Sequence, residues 1–272
     1  MQLSLHNRHY FFTKTGTTQP IWLLLHGFMG SHQDFEKLAQ QLPGTVICPD
    51  LLGHGATTAP LTQPFTMAQQ VADLTQLLDT LVGSKPVNVV GYSMGGRIAL
   101  GLSVQQPQRI QRLYLESSRP GLATTAQRQQ RQIHDAQLIQ KLKTVSLAEF
   151  VADWANLPLF DSQKALPAAI YQQIQRQRRQ QDPLALAKSL QDLGTGRQPN
   201  YWPKLAQLPC PTTIITGALD QKFTKIGLEM AALIPNSQHV VIANVGHNTH
   251  LEAPAKFLQI LTAGGDFSRG TH

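Results

Sequence analysis

The sequence predicts an α/β protein with a mostly parallel central sheet, helices on both faces and an inserted helical segment. Three observations carry that expectation. Short apolar runs alternate with helically periodic segments up to residue 119 and again from residue 204. Such alternation is the mark of parallel strands joined by helical crossovers. The run "VVGYSMGGRIAL" (89–100) passes from strand-like to helix-like residues through a bend flanked by glycines. From Pro120 to about Pro203 the strand signals vanish and a glutamine- and arginine-rich helical pattern replaces them. The expected organisation is a core of residues 1–119 and 204–272 with a helical lid at 120–203. A chain of 272 residues, 42% of them hydrophobic, has the material for one core of that kind.

Taken in order, "HYFFTK" (9–14) is the first strand signal, followed by "IWLLLHG" (21–27) and "TVICPD" (45–50). Each is a short apolar run closed by turn residues. Met67, Val71, Leu74, Leu77, Leu78 and Leu81 recur at three- and four-residue spacing, which predicts an amphipathic helix. "VNVV" (87–90) enters the bend, Arg97–Gln105 continue as helix, and "RLYLESS" (112–118) is the next strand. After the insertion, strands return in "TTIITGALD" (212–220) and "HVVIANVGHN" (239–248), each with a helical stretch behind it. The tail from Gly264 to His272 is expected to fray.

The bend carries the chemistry. In Gly91-Tyr92-Ser93-Met94-Gly95 a glycine stands two positions either side of a serine, the nucleophile-elbow pattern that exposes a hydroxyl between strand and helix. An acid and a histidine follow in the order that the α/β-hydrolase fold uses, Asp220 after "TTIITG" and His247 after "HVVIANVG". Both sit past the carboxyl ends of strands, where open α/β sheets place their sites. The expected catalytic set is therefore Ser93, His247 as its proton acceptor, and Asp220 orienting the imidazole. Backbone donors for a developing oxyanion are expected from Met94 and, in "HGFMG" (26–30), from Phe28. His26 and His54 read as loop-packing residues, and Asp50 as the organiser of the "PDLLGHG" turn. Glu252 reads as a cap for the helix starting near Ala253. No histidine or acid stands at metal-ligand spacing, so neither metal nor cofactor is expected.

The net charge of +7 raises nucleic acid as a partner, but no zinc-finger, RRM or KH signature accompanies it. Most arginines between 119 and 200 read as a solvated helical surface, and a few as the lining of a pocket for an anionic small molecule. No apolar run approaches the roughly 18 residues that span a bilayer, so no membrane insertion is expected. Cys48 and Cys210 lie in strand-like surroundings and are expected as reduced thiols. With no signal-peptide pattern at the N-terminus, this implies a cytoplasmic protein.

"LLHGFMGSHQDF", "PDLLGHG", "VVGYSMGGRIAL", "LYLESSRPGL", "FVADWANLP", "GALDQKF" and "VGHNTHLEAP" occur in this order. Together they resemble the 2-succinyl-6-hydroxy-2,4-cyclohexadiene-1-carboxylate synthases of menaquinone and phylloquinone biosynthesis, a family with the α/β-hydrolase fold. The similarity runs from about Trp22 to Pro254. It implies a lyase that eliminates pyruvate from a tricarboxylate, 2-succinyl-5-enolpyruvyl-6-hydroxy-3-cyclohexene-1-carboxylate. In that chemistry Ser93 takes a ring proton instead of attacking a carbonyl. The resemblance assigns substrate contacts to Arg97, Arg131, Tyr92 and Trp154, and to a further lid arginine. Arg178 is the best counterpart for the last, with Arg176 and Arg179 close alternatives. Arg119, before "PGL", departs from the family pattern and either adds a positive group at the pocket mouth or points outward. A carboxylesterase or a carbon–carbon bond hydrolase acting on an acidic molecule would use the same triad. A non-catalytic binding protein on this fold would have no use for all three residues.

Overall fold

The computed structural model describes residues 1–263, so the predicted fraying of 264–272 lies outside the described residues. Its strands are β1 (Gln2–Leu5), β2 (Arg8–Thr15), β3 (Ile21–Leu25), β4 (Thr45–Pro49), β5 (Val87–Tyr92), β6 (Ile110–Glu116), β7 (Thr212–Gly217) and β8 (Ser237–Ile242). Helices α1 (Glu36–Ala39), α2 (Met67–Val82) and α3 (Met94–Gln105) lie between the earlier strands. Next come α4 (Thr125–Thr144), α5 (Leu147–Ala155), α6 (Ala168–Arg178) and α7 (Pro183–Leu193), all between β6 and β7. Then follow α8 (Gln221–Leu233), α9 (Thr249–Glu252) and α10 (Pro254–Thr262).

The strands form one sheet in the order β1-β2-β4-β3-β5-β6-β7-β8. Pairing is parallel from β4 to β8, while β2 runs antiparallel to both β1 and β4. Alternate side chains of each central strand serve opposite faces. Leu23, Leu25, Val89, Leu113 and Ile214 pack with α2, α3 and α8. Trp22, Leu24, Val90, Tyr114 and Ile215 pack with α1 and α10. Burial on both faces is why these strands read as continuous apolar runs in the sequence.

β1 has no counterpart in the sequence reading. It is four residues long, at the sheet edge and mostly exposed, so it leaves no apolar signature. The last strand is also shorter than predicted: it ends at Ile242, and residues 243–248 form the loop that carries His247. Beyond β6, Phe150, Val151, Leu186 and Leu190 gather into a separate cluster that includes Met29 from the loop after β3. α4 adds Leu142 to that packing, with Leu138 and Ile139 partly buried against it; its other buried residue is Asp135, and the remaining exposed positions account for its polar, glutamine-rich sequence. Cys48 and Cys210 are buried and unpaired, as expected. Among the described residues no helix is long and apolar enough to cross a membrane.

Candidate active site

The elbow between β5 and α3 is built by close approach. A Cβ on Gly95 would lie 2.0 Å from the Leu25 carbonyl oxygen, and one on Gly91 would lie 2.5 Å from the Gly95 carbonyl. Only glycine lets the chain turn this tightly. Ser93 is the residue at the apex, with φ 49° and ψ −103°, a backbone region that costs an L-residue about 1–3 kcal/mol. Neighbouring strands hold it there: the Ser93 N–H donates to the Glu116 carbonyl at 2.9 Å, and the Ser118 hydroxyl donates to the Ser93 carbonyl at 3.0 Å.

His247 brings the chemistry together. Its Nδ1 lies 2.6 Å from Asp220 Oδ2 and its Nε2 lies 3.0 Å from Ser93 Oγ. A carboxylate can only accept here, so Nδ1 carries the proton and Nε2 faces the serine hydroxyl as acceptor. Asp220 is fixed as the N-cap of α8, its Oδ1 accepting the Phe223 N–H at 3.1 Å. His247 is 1% exposed, and its ring packs against Phe223, Tyr92 and Phe160, with centroids 4.7, 5.4 and 6.0 Å away.

The loop carrying His247 is braced by residues whose importance was not read from the sequence. Glu116, wholly buried at the end of β6, accepts from the Thr249 hydroxyl, the His250 N–H and His250 Nδ1 at 2.8, 2.9 and 2.7 Å. A single acid at the end of an apolar strand was the available signal. Glu252 corrects the expectation of a helix cap at Ala253. Its carboxylate accepts the Gly246 and Asn248 N–H groups at 2.7 and 3.3 Å, while Ala253 makes no side-chain cap and Pro254 opens α10. The carboxylate turns back because its helix, α9, is a single turn ending at Glu252 itself.

The three loop residues behave as expected. His26 sits between two backbones, its Nδ1 donating to the Gly27 carbonyl at 2.7 Å and its Nε2 accepting the Leu51 N–H at 3.0 Å. Burial holds its pKa below the usual histidine range, so it fixes the "HGFMG" loop as a neutral ring. Burial, with His26 nearby, takes His54 down to about 3. Asp50 accepts from the His32 and Ala56 N–H groups at 2.6 and 2.8 Å, which ties the "PDLLGHG" turn to the segment after β3.

Ser93 and His247 open on a cavity of about 270 Å³. Phe28, Tyr92, Met94, Arg97, Arg131, Trp154 and Arg178 also line it; Asp220 stands behind His247 and does not. Among the described residues, the turn and loop hydrogen bonds use neither the Phe28 nor the Met94 N–H. Tyr92 and Trp154 form part of the cavity wall, and Trp154 Nε1 is buried without a hydrogen-bond partner.

The arginines differ in their surroundings. Arg97, one helical turn past Ser93, is 8% exposed, and its Nη1 donates to the Leu193 carbonyl and Gln198 Oε1 at 2.7 and 3.3 Å. Burial, then the charge of Arg131, lowers its pKa to about 9, and both of its hydrogen-bond acceptors are neutral. Arg131 pairs with Asp135 at 2.7 Å. Arg178, at the end of α6, lies 5.2 Å over the Phe160 ring with Nη1 buried and unpartnered. Arg176 and Arg179 are exposed and do not line the cavity. Lys222, exposed at its rim, also lines it, a residue passed over inside "GALDQKF". Among the described residues no group of acids, histidines or cysteines could hold a metal ion.

This sheet order, elbow and residue order define an α/β-hydrolase, and residues 20–254 match the alpha/beta hydrolase fold family. A Bacillus subtilis (strain 168) protein assigned as 2-succinyl-6-hydroxy-2,4-cyclohexadiene-1-carboxylate synthase is 38% identical over 88% of this chain and 87% of its own. The 2-succinyl-6-hydroxy-2,4-cyclohexadiene-1-carboxylate synthase of Salmonella agona (strain SL483) is 32% identical over 87% of this chain and 90% of its own. The solved structure of MenH from S. aureus superposes with a TM-score of 0.90 at 34% identity, covering 93% of this chain and 96% of that one. The chain belongs to this synthase family, carbon–oxygen lyases built on the α/β-hydrolase fold.

Proposed function

We propose that the protein eliminates pyruvate from 2-succinyl-5-enolpyruvyl-6-hydroxy-3-cyclohexene-1-carboxylate, with Ser93, His247 and Asp220 as a proton-transfer relay. One observation carries this reading: the relay opens on a cavity that Arg97, Arg131 and Arg178 also line. A tricarboxylate brings carboxylates to those guanidinium groups, of which, among the described residues, only Arg131 is already paired with one, and a planar fork suits a carboxylate.

His247 Nε2 accepts the Ser93 proton as Oγ takes a proton from the ring carbon beside the succinyl carbonyl. The C–H electron pair first becomes an enolate, stabilised by the Phe28 and Met94 N–H groups. It then moves through the ring double bond, and the carbon–oxygen bond to the enolpyruvyl group breaks. Pyruvate leaves as its enolate and is protonated, which returns the relay to its starting state. No acyl-enzyme is needed. Residues 120–203 act as a lid, with Trp154 and Phe160 shielding the relay from water. The product belongs to menaquinone or phylloquinone biosynthesis, and the setting is cytoplasmic.

The test compares substrates. Pyruvate release from the tricarboxylate should exceed by orders of magnitude the turnover of neutral esters such as p-nitrophenyl acetate. Faster ester turnover would make the protein a hydrolase.

A further inference from the structure

We infer that Arg119 forms, with Arg131 and Lys222, a second anion subsite at the cavity mouth that holds the carboxylate of a flexible substrate arm. This rests on the reading of the substrate as a tricarboxylate and deepens it, since the arm is then the succinyl group.

Arg119 points inward. It lines the same cavity as Ser93, Arg131 and Lys222, and its Nε is buried without a hydrogen-bond partner. A buried guanidinium nitrogen left unpaired is costly in a resting protein and is relieved by an acceptor that arrives with the ligand. The segment is placed from both sides. Gln198 donates to the Arg119 carbonyl at 3.3 Å through Nε2, while its Oε1 accepts from Arg97 Nη1 at 3.3 Å. One amide thus ties the backbone of Arg119 to the guanidinium beside the elbow.

Charge supports the same conclusion. Burial and the neighbouring Arg131 hold Arg119 below the usual arginine range. Burial, then Arg119, then Arg131 lower Lys222. Arg131 is paired with Asp135, but Arg119 and Lys222 have no carboxylate at ion-pair distance among the described residues. The mouth therefore carries excess positive charge that an anion would neutralise. Arg119 is half-exposed whereas Arg97 and Arg178 are buried. The mouth thus suits a group that remains partly hydrated, and the deeper cations suit groups nearer the reacting bond.

The test is Arg119→Gln and Arg119→Lys beside the wild type, in turnover of the tricarboxylate and in equilibrium titration with propane-1,2,3-tricarboxylate. Arg119→Gln should raise KM about tenfold, more than it lowers kcat, and weaken the titrated affinity by a similar factor. Its kcat/KM should also fall less steeply with added salt than that of the wild type. Arg119→Lys should recover part of both losses, which a role in folding alone would not produce. Unchanged KM, affinity and salt dependence in Arg119→Gln would overturn the subsite while leaving the elimination standing. Binding of the tricarboxylate through Arg119 without any pyruvate release would leave the subsite standing and remove the elimination.

Discussion

His247 and Ser93 lie 154 positions apart in the chain, yet His247 Nε2 stands 3.0 Å from Ser93 Oγ. That contact depends on the imidazole keeping its proton on Nδ1, facing Asp220 at 2.6 Å. Asp220→Asn replaces an acceptor with a group that can donate and favours the other tautomer. The expected loss in kcat is about 10²–10⁴-fold, with KM changed far less. Steady-state kinetics check this, and a loss confined to KM would count against the relay.

Arg97 places one guanidinium between the elbow helix and the end of α7, with only neutral acceptors. Arg97→Ala should reduce kcat/KM roughly 10–150-fold, the equivalent of one charge-assisted hydrogen bond. Arg97→Lys should lose less, because the charge is kept. Equal losses in the two variants would mean that packing, not charge, is what Arg97 supplies.

Glu116 accepts three hydrogen bonds in a fully buried position and thereby anchors the segment after His247. Removing one partner of such a buried pair leaves the other uncompensated. Glu116→Ala should lower unfolding free energy by about 3–5 kcal/mol in urea titration. A change below about 1 kcal/mol would show that the His250 side is satisfied by other groups.

Gly95 and Gly83 make a matched pair of tests. Gly95→Ala would place a Cβ 2.0 Å from backbone that cannot move aside, whereas a Cβ at Gly83 meets nothing within 4 Å. Gly95→Ala should cost about 3 kcal/mol or more. Gly83→Ala meets no clash and should cost only backbone strain, about 1–3 kcal/mol, at φ 64° and ψ −147° at the end of α2. Chemical denaturation of both variants reads the difference, and equal costs would contradict the close-approach account of the elbow.

His54 supplies a pH dependence. Its folded pKa is about 3 because burial disfavours the cation, while the unfolded side chain titrates near 6.5. The stability it contributes is fully present above about pH 6.5 and is lost as pH falls towards 3. Within that window the unfolded chain binds a proton that the folded chain does not, at up to about 1.4 kcal/mol per pH unit. His54→Gln should flatten the slope of unfolding free energy between pH 6 and 4. An unchanged slope would assign the acid sensitivity to other groups.

Much of this site was legible because its parts lie at strand ends with distinctive punctuation. Glycines at 91 and 95, a serine between them, and Asp220 and His247 after later apolar runs are local patterns that the structure joins by 2.6 and 3.0 Å contacts. The central strands were legible for the same reason, since burial on both faces leaves unbroken apolar runs. β1 was not, because an exposed edge strand of four residues has no such run. Glu252 was misread because its partners are backbone N–H groups, which leave no side-chain pattern, and Glu116 was passed over because Thr249 and His250 come near it only on folding. Composition did not separate Arg176, Arg178 and Arg179; of these three the fold buries only Arg178 and turns only Arg178 to the cavity.

The most direct measurement is the rate of pyruvate release when the purified protein meets freshly generated 2-succinyl-5-enolpyruvyl-6-hydroxy-3-cyclohexene-1-carboxylate, beside Ser93→Ala and an enzyme-free blank. The substrate decays unaided, so the excess over both controls is what matters. The account predicts a large excess for the wild type and a near-blank rate for Ser93→Ala, which still binds substrate. A Ser93→Ala rate close to the wild-type rate would contradict it, removing the elbow serine from the chemistry.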